Sequence, residues 1–600
     1  MSSQKPLGVT APISDKLPTD AEKRSSDALI EELRRQKTFE SPSDTQLRYK
    51  VLESLQNICN AFVQKVAKLK KPKNEVLIRN ARGKIFTYGS FRLGVFGPGS
   101  DIDTLVVAPE YVLRDDYFEY FPDLLVSMAP KGSITDLAVV RDAFVPIIKF
   151  EYSGISIDLI FSRIIQTQLS PDLDLKDVNL LRGLDEPELR SLNGTRVTDE
   201  ILSLVPEQST FKMALRTIKL WAQRRAVYAN IMGFPGGVAW AMLVARVCQL
   251  YPKAAVSVVV MKFFKIYKEW QWPQPVLLKP VEDGPLPVRV WNPKIYPPNR
   301  YDLMPVITPA YPSMCATYNV TRSTMGIIQQ EIERGLNLTM EIMDGKKPWS
   351  DMFTKHTFFT KDYKYYMSVI SASKTEEHQK IWSGWVESRV RLLVSKLERA
   401  PGILHARPFV KSFERRHKCT AEQLHLVQDG SLAFLAPGKK EEEPVEEPQS
   451  GAPEAKQNGD GTDPREVGQD NGVATRLSTD IGAESAQPNG AEGAPTLMEV
   501  FTTTQYIGLE LNPDVKSLEL SYVVQEFKGI CEAWDRYNNE LKDDVSLSVQ
   551  SVKRWELAED LFEPGEKRPP KPKKGAKKRA AAEDQPPPAK RQHSSVAAAG

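Results

Sequence analysis

Three acidic residues and a glycine-serine turn carry the chemistry most directly readable from this chain. Residues 86–103 run Phe-Thr-Tyr-Gly-Ser-Phe-Arg-Leu-Gly-Val-Phe-Gly-Pro-Gly-Ser-Asp-Ile-Asp. An apolar-aromatic strand at 85–88 leads into Gly89 and Ser90, where backbone free of Cβ bulk can approach a ligand. A turn containing Gly94, Gly97 and Gly99 follows, and Asp101 and Asp103 then open a second strand at 104–108. Strand alternation puts both carboxylates on one face and Ile102 on the other. Carboxylates that close repel unless a cation lies between them, and hard oxygen ligands suit Mg²⁺. Asp158 supplies a third acid in the run Ile-Ser-Ile-Asp-Leu-Ile-Phe, facing away from Ile157 and Leu159. An acid in so apolar a strand is costly to bury alone, and a shared metal site removes that cost. Amide and hydroxyl groups of Gly89 and Ser90 can meet phosphate oxygens beside the metal. An Asp-x-Asp pair or a glycine-rich loop alone is usually a surface turn. The combination reads as a cradle for a metal-bound triphosphate.

The elements that must position these groups follow from periodicity. Strands near 83–88, 102–108, 134–139, 143–150 and 154–161, with a helix near 114–128, make a small mixed α/β unit holding all three acids. Lys149 lies nine residues before Asp158, a cation that either sits beside the carboxylates or is simply solvated. Helices are expected near 25–39 and 44–70, the latter with Leu52, Leu55, Cys59, Phe62 and Val66 as a core stripe. A helix over 208–226 buries Phe211, Leu215, Ile218 and Trp221 and carries Lys212, Arg216 and Lys219 as a separate basic stripe. Tyr228, Asn230 and the run 233–237 follow it, so an aromatic, a carboxamide and bare backbone come just after the cations. Lys219 can hold a phosphate as a point charge, Tyr228 can bond phosphate or ribose, and Asn230 has the donor-acceptor pair of adenine's edge. Phe144 either stacks on a base or belongs to the core.

Two apolar helices broken at Tyr251 and Pro252, a proline-rich section over 272–312 and a helix near 322–335 complete a mainly helical middle. Residues 356–435 and 495–555 read as one α+β domain interrupted by an insertion. A strand with Phe358, Phe359, Tyr363, Tyr365 and Tyr366 precedes a helix burying Trp382, Trp385, Val386, Leu393 and Leu397. A strand at 500–511 and a helix with Tyr522, Val523, Phe527, Ile530 and Trp534 come after the insertion. The insertion, about 437–495, is acidic, rich in Gly, Pro, Gln and Asn and free of aromatics, so it is expected to be disordered. The tail from Pro564 carries basic clusters at Lys567-Arg568, Lys573-Lys574, Lys577 to Arg579 and Lys590-Arg591, the pattern of a bipartite nuclear import signal.

Gly89-Ser90, Asp101-Ile-Asp103 and Asp158 match the nucleotidyltransferase superfamily that includes DNA polymerase beta. The run FTYGSFRLGVFGPGSDIDTLVV resembles eukaryotic nuclear poly(A) polymerases, the fungal ones most closely. Residues 219–252, 304–324, 358–369 and 384–394 extend the likeness, which covers roughly 5–435 and 495–560. The resemblance implies a polymerase beta-like catalytic domain at 41–205 and a helical middle domain at 206–355 on which residues 1–40 pack. It further implies an RRM-like RNA-binding domain at 356–560, with the insertion at 437–495, and a basic tail at 561–600. No RNP1-like sequence is visible in the RRM-like part. The resemblance makes Asp101, Asp103 and Asp158 the catalytic, metal-holding residues, with two Mg²⁺ per site and Mn²⁺ able to substitute. It assigns ATP contacts to Tyr88, Gly89, Ser90, Ser100, Ile102 and the three acids, and to Lys219, Tyr228, Asn230, Gly237 and Val238. Phe144 and Lys149 become candidates for RNA or nucleotide contact.

Six hundred residues suggest about four domains, and 41% hydrophobic content is enough for sizeable cores. A net charge of +3 means that any nucleic-acid surface comes from local segregation of charge. The scattered cysteines Cys59, Cys248, Cys315, Cys419 and Cys531 form no Cys-x-x-Cys pair, which argues against a zinc finger or disulfide framework and for a reducing compartment. The N-terminus lacks an apolar signal core, and no run reaches the roughly 18 apolar residues of a membrane span. The expected activity is template-independent addition of AMP from ATP to an RNA 3′ end with release of pyrophosphate. The expected enzyme is a nuclear monomer that meets an import receptor, and the resemblance implies that it works with the cleavage and polyadenylation machinery. A CCA-adding or uridylyl-transferring enzyme, or a non-catalytic RNA-binding scaffold, are the rival readings.

Overall fold

The computed structural model describes residues 7–141, 145–436, 497–515 and 518–571. Phe144, the insertion expected to be disordered and the tail clusters beyond residue 571 lie outside the described residues. In chain order the helices are α1 Asp20–Arg35, α2 Pro42–Lys70, α3 Glu75–Asn80, α4 Gly89–Leu93, α5 Arg114–Met128, α6 Glu186–Ser203 and α7 Gln208–Arg224. They continue with α8 Gly237–Leu250, α9 Val256–Glu269, α10 Arg322–Met343, α11 Glu376–Leu397, α12 Leu424–Gln428 and α13 Ser521–Glu532. The strands are β1 Lys84–Thr87, β2 Ile102–Ala108, β3 Ile134–Val140, β4 Ile147–Tyr152, β5 Ile155–Arg163, β6 Tyr365–Ser373, β7 Ile403–Pro408, β8 Phe413–Cys419, β9 Met498–Leu511 and β10 Val545–Lys553.

The first sheet has the order β1-β2-β5-β4-β3, with β2 and β5 parallel and every other pair antiparallel. Its core is closed by α2 and α5, where Phe62, Tyr117, Phe121 and Phe161 bury their rings against Ile102 and Leu159. Burying one such ring stabilises by roughly 1.5–3 kcal/mol. The middle of the chain packs α7, α8, α9 and α10 around Trp221, Trp240, Phe263 and Phe264. Residues at the N-terminus lie on this helical layer. The Ile13 amide donates to the Leu250 carbonyl, the Ser257 amide to Ser26 Oγ, and Trp349 Nε1 to the Ser25 carbonyl.

The second sheet is antiparallel, in the order β10-β6-β9-β7, and the long strand β9 pairs with β7 along one half and β8 along the other. The chain leaves it at Ala436, whose amide donates to the Arg416 carbonyl, while Leu435 bridges His417. It returns at Leu497 to pair Met498 with Cys419 and Val500 with His417, on the other flank of β8. All five cysteines are free and buried. No helix among the described residues is long and apolar enough to cross a membrane.

Several local expectations are corrected. The first helix begins at Asp20, not near 25, because Thr19 and Glu22 form a capping box. Residues 89–93 form the short helix α4 ahead of the expected turn at Gly94, Gly97 and Gly99. Phe358, Phe359 and Tyr363 precede β6 instead of lying on a strand; they pack with Tyr366, Phe409 and Tyr506 as one buried aromatic cluster. Tyr522 is 78% exposed, and Trp534 lies beyond α13, stacked on Trp385 at 4.2 Å between ring centres. Helix α6 was not anticipated, although Asp185 and Glu188 form a capping box that announces it.

Candidate functional site

Register places the acids. Across the parallel pair β2–β5, Asp103 is the Cα partner of Asp158, and Asp101 stands one residue before β2. One ligand oxygen from each of Asp101, Asp103 and Asp158 lies within 4.8 Å of the others. Ile102 between the two aspartates is fully buried in the core, so its side chain does not reach the ligand space. Gly89 has a left-handed φ of 62°, and a Cβ there would lie 1.9 Å from Asp103 Oδ2. Both features require glycine and let the Asp103 carboxylate lie directly on the backbone.

On the other side of β5, Lys149 is the cross-strand partner of Asp158, and its Nζ donates to Oδ1 at 2.9 Å and Oδ2 at 2.7 Å. The remaining negative charge is crowded. Burial together with Asp101 and Asp158 pushes the Asp103 carboxyl up to about 7, with Lys149 and Lys219 pulling the other way. Burial and the same three carboxylates hold the Tyr88 phenol well above its ordinary range. Three hard oxygen donors crowded this closely fit a divalent ion.

A cleft of about 1290 Å³ separates this sheet end from α6, α7 and the start of α8. Tyr88, Gly89, Ser90, Ser100, the three acids, Lys149, Lys219, Tyr228, Asn230, Gly237 and Val238 all line it. Ser100 Oγ accepts the Gly97 amide at 3.0 Å and so closes the glycine turn. The basic stripe on α7 divides by function. Arg216 is 7% exposed and donates to the carbonyls of Thr38, Phe96 and Gly94, which fastens the loop after α4. Lys212 lies along Gly94. Lys219 makes no ion pair among the described residues and faces the cleft. Burial and Arg216 hold its ammonium below the ordinary value, and Asp101 and Asp103 oppose that shift.

Tyr228 and Asn230 follow the end of α7. A Cβ on Gly237 would lie 2.5 Å from Tyr228 Oη, so bare backbone at the start of α8 lets the phenol stand against it. Burial and Asp101 and Asp103 push that phenol up to about 12. Helix α8 begins without a side-chain cap, leaving its first amides unsatisfied toward the cleft beside Gly237 and Val238. Sequence reasoning assigned no role to Asn193, Gly194 and Thr198 on α6 or to Thr308, Met314 and Tyr318, all of which line the cleft. The α6 residues follow from an unrecognised helix. The others lie in a stretch without periodicity, where only the fold brings them to the site.

Three family models match the chain. They are the Poly(A) polymerase nucleotidyltransferase domain over residues 8–205, the central domain over 210–355 and the Poly(A) polymerase predicted RNA binding domain over 357–571. Among curated relatives, poly(A) polymerase pla1 of Schizosaccharomyces pombe is 47% identical over 574 residues, spanning 95% of this chain and 96% of that one. Poly(A) polymerase PAPalpha of Candida albicans is also 47% identical, over 94% of each chain. A poly(A) polymerase of Dictyostelium discoideum is 45% identical over 68% of this chain and 50% of that one. A solved structure of the RNA terminal uridylyl transferase Cid1 aligns at 12% identity with a TM-score of 0.39, over 56% of this chain and 99% of that one.

Proposed function

The chain belongs to the poly(A) polymerase family, and on that premise we propose that it extends the 3′ ends of messenger RNA precursors without a template. Each cycle transfers AMP from ATP and releases pyrophosphate. The observation that carries the reading is the convergence of Asp101, Asp103 and Asp158 within 4.8 Å, opposite Lys219, Tyr228 and the open start of α8. Two Mg²⁺ ions (or Mn²⁺ in their place) bound there would supply neutralisation of the charge that builds up during phosphoryl transfer. Asp101, Asp103 and Asp158 would hold one of them, and Asp101 and Asp103 the other.

The chain's own groups do the rest by positioning. Lys219 meets the triphosphate as a point charge, and the unsatisfied amides at Gly237 and Val238 add dipolar stabilisation for an anion. Tyr228 Oη donates to phosphate or ribose, and its raised pKa keeps it a donor at neutral pH. Gly89 and Ser90 hold phosphate oxygens next to Asp103. The RNA 3′-hydroxyl oxygen bonds to the α-phosphorus while the bond from that phosphorus to pyrophosphate breaks. The hydroxyl proton passes to Asp158, and Lys149, already bonded to Asp158, holds that carboxylate in line. Asn230 faces the base.

The basic clusters around Lys567-Arg568 and farther along the tail support import into the nucleus. Family membership supports monomeric action with the cleavage and polyadenylation machinery. The test is extension of a labelled oligo(A) primer with each nucleoside triphosphate separately in Mg²⁺. Strong preference for ATP is expected. Equal use of the four, preference for CTP or UTP, or no extension in either Mg²⁺ or Mn²⁺ overturns the reading.

A further inference from the structure

Asn230 does not meet the cleft with both ends of its carboxamide. Asn319, 9% exposed, donates its Nδ2 to the Asn230 backbone carbonyl at 3.2 Å and to Asn230 Oδ1 at 3.0 Å. The backbone carbonyl can only accept, so the Asn319 amide has a single orientation that satisfies it. That orientation in turn fills one lone pair of Asn230 Oδ1 and holds this oxygen toward Asn319, away from the Nδ2 end. Asn230 Nδ2 has no hydrogen-bond partner among the described residues, and Asn230 lines the cleft. The contact is also sterically fixed: a Cβ on Gly233 would lie 2.9 Å from the Asn319 carbonyl oxygen, so the loop after Asn230 packs tightly on Asn319. The expectation that Asn230 offers a donor-acceptor pair is therefore corrected. It offers a donor.

We propose that Asn319 is the positioning residue that sets nucleotide choice, by locking Asn230 so that only its Nδ2–H group is presented to the incoming base. This rests on the reading that Asn230 faces the base. A fixed donor at the Watson–Crick edge matches the N1 acceptor of adenine and opposes guanine, which carries N1–H there, and uracil, which carries N3–H. Polarity is set at one remove, by a residue whose amide is buried behind the one that touches the ligand.

Asn319→Asp keeps shape and volume but removes the donor and adds acceptors. Asn230 must then turn its own Nδ2 toward residue 319 and present Oδ1 to the cleft, which inverts the polarity offered to the base. The experiment compares kcat/KM for ATP and GTP on an oligo(A) primer with Mg²⁺ in the full chain, for the wild type, Asn319→Asp, Asn319→Ala and Asn230→Ala. Asn319→Asp is expected to lower the ATP:GTP ratio by at least about tenfold, as for one misdirected polar contact to a base. Asn319→Ala is expected to lower it less, because the amide is freed but not turned. If Asn230→Ala lowers the ratio and a folded Asn319→Asp does not, the inference fails while the base-facing role of Asn230 stands. If Asn230→Ala leaves the ratio unchanged, both fail. An equal loss for ATP and GTP in Asn319→Asp assigns Asn319 a purely structural part and overturns the proposal. Should that variant not fold, Asn319→Ala decides: an unchanged ratio refutes it.

Discussion

The two sheets have five strands each, and both carry polar side chains on strands otherwise lined with core. In the second sheet the buried threonine row of β9 is satisfied by the protein itself, although Gln505 Oε1, His417 Nδ1 and Ser546 Oγ nearby have no partner. Thr502, Thr503 and Thr504 on β9 are nearly fully buried, and their hydroxyls meet His417 Nε2 at 3.0 Å, Gln379 Nε2 at 2.9 Å and Arg415 Nη1 at 2.9 Å. The first sheet leaves its acids short of partners, with three carboxylates facing one another and one lysine among them. Polar groups satisfied internally add to stability and uniqueness, whereas groups left facing one another are a standing cost that a ligand relieves. Hydroxyls bonded within the second sheet serve the scaffold, whereas like charges crowded at the end of the first mark the site.

That contrast is open to direct attack. Asp103→Asn is expected to lower AMP incorporation by at least about a thousandfold, the scale of losing a group that acts in the transition state. The melting temperature of the metal-free protein at pH 8 should stay level or rise. A large fall in melting temperature with activity retained would place Asp103 in the scaffold. Phe358→Ala empties a fully buried ring position beside the second sheet. It should cost about 3–5 kcal/mol in denaturant unfolding while the Mg²⁺ dependence of the remaining folded enzyme is unchanged. Lys219→Met should raise KM for ATP about tenfold with little change in melting temperature, since one charge-assisted contact is lost from a half-buried position.

A further effect concerns pH and has opposite signs in the two regions. Burial and Arg407 lower His356 to about 3, and burial and Arg415 lower His417 to about 4. Both folded values lie below the unfolded 6.5, so their contribution is complete above pH 6.5. It is lost as pH falls toward 4, at up to about 1.4 kcal/mol per pH unit for each histidine. Asp103 behaves inversely. Its folded value of about 7 lies above the unfolded 3.8, so the metal-free protein loses stability as pH rises through that window. Denaturant unfolding between pH 4 and 8 should show a maximum that moves to higher pH when Mg²⁺ is added, and to lower pH in His356→Gln. A profile indifferent to Mg²⁺ would sever the link between the crowded acids and a cation.

Much of this was legible because strand alternation is a strict rule. Asp101, Asp103 and Asp158 are assigned to faces by counting, and the register adds what counting left open, that Asp158 stands between Asp103 and Lys149. The stripe Lys212, Arg216 and Lys219 was visible, but its division was not. Whether a cation on a helix meets carbonyls, glycine or a cleft depends on what packs opposite, and a loop 120 residues away decides it for Arg216. The aromatic cluster misled for the same reason. Phe358 and Phe359 have the composition of a strand, and the tertiary demand to cover Tyr366 and Phe409 turns them into an irregular bend. Asn319 had no signal at all. Its importance lies in a hydrogen bond across 89 positions of sequence.

The exit and return of the chain around β8 have a practical consequence. Ala436 and Leu497 flank a single strand, two strand spacings apart and offset by about four residues along it, so the gap between them is on the order of 16 Å. About eight to ten residues bridge such a gap around the strand, and loop-closure entropy grows only slowly with added length. The position is therefore a natural port for protein engineering. The native sequence there can be exchanged for a short Gly-Ser splice or for a fluorescent reporter, and the β-ladder on either flank supplies the anchor points.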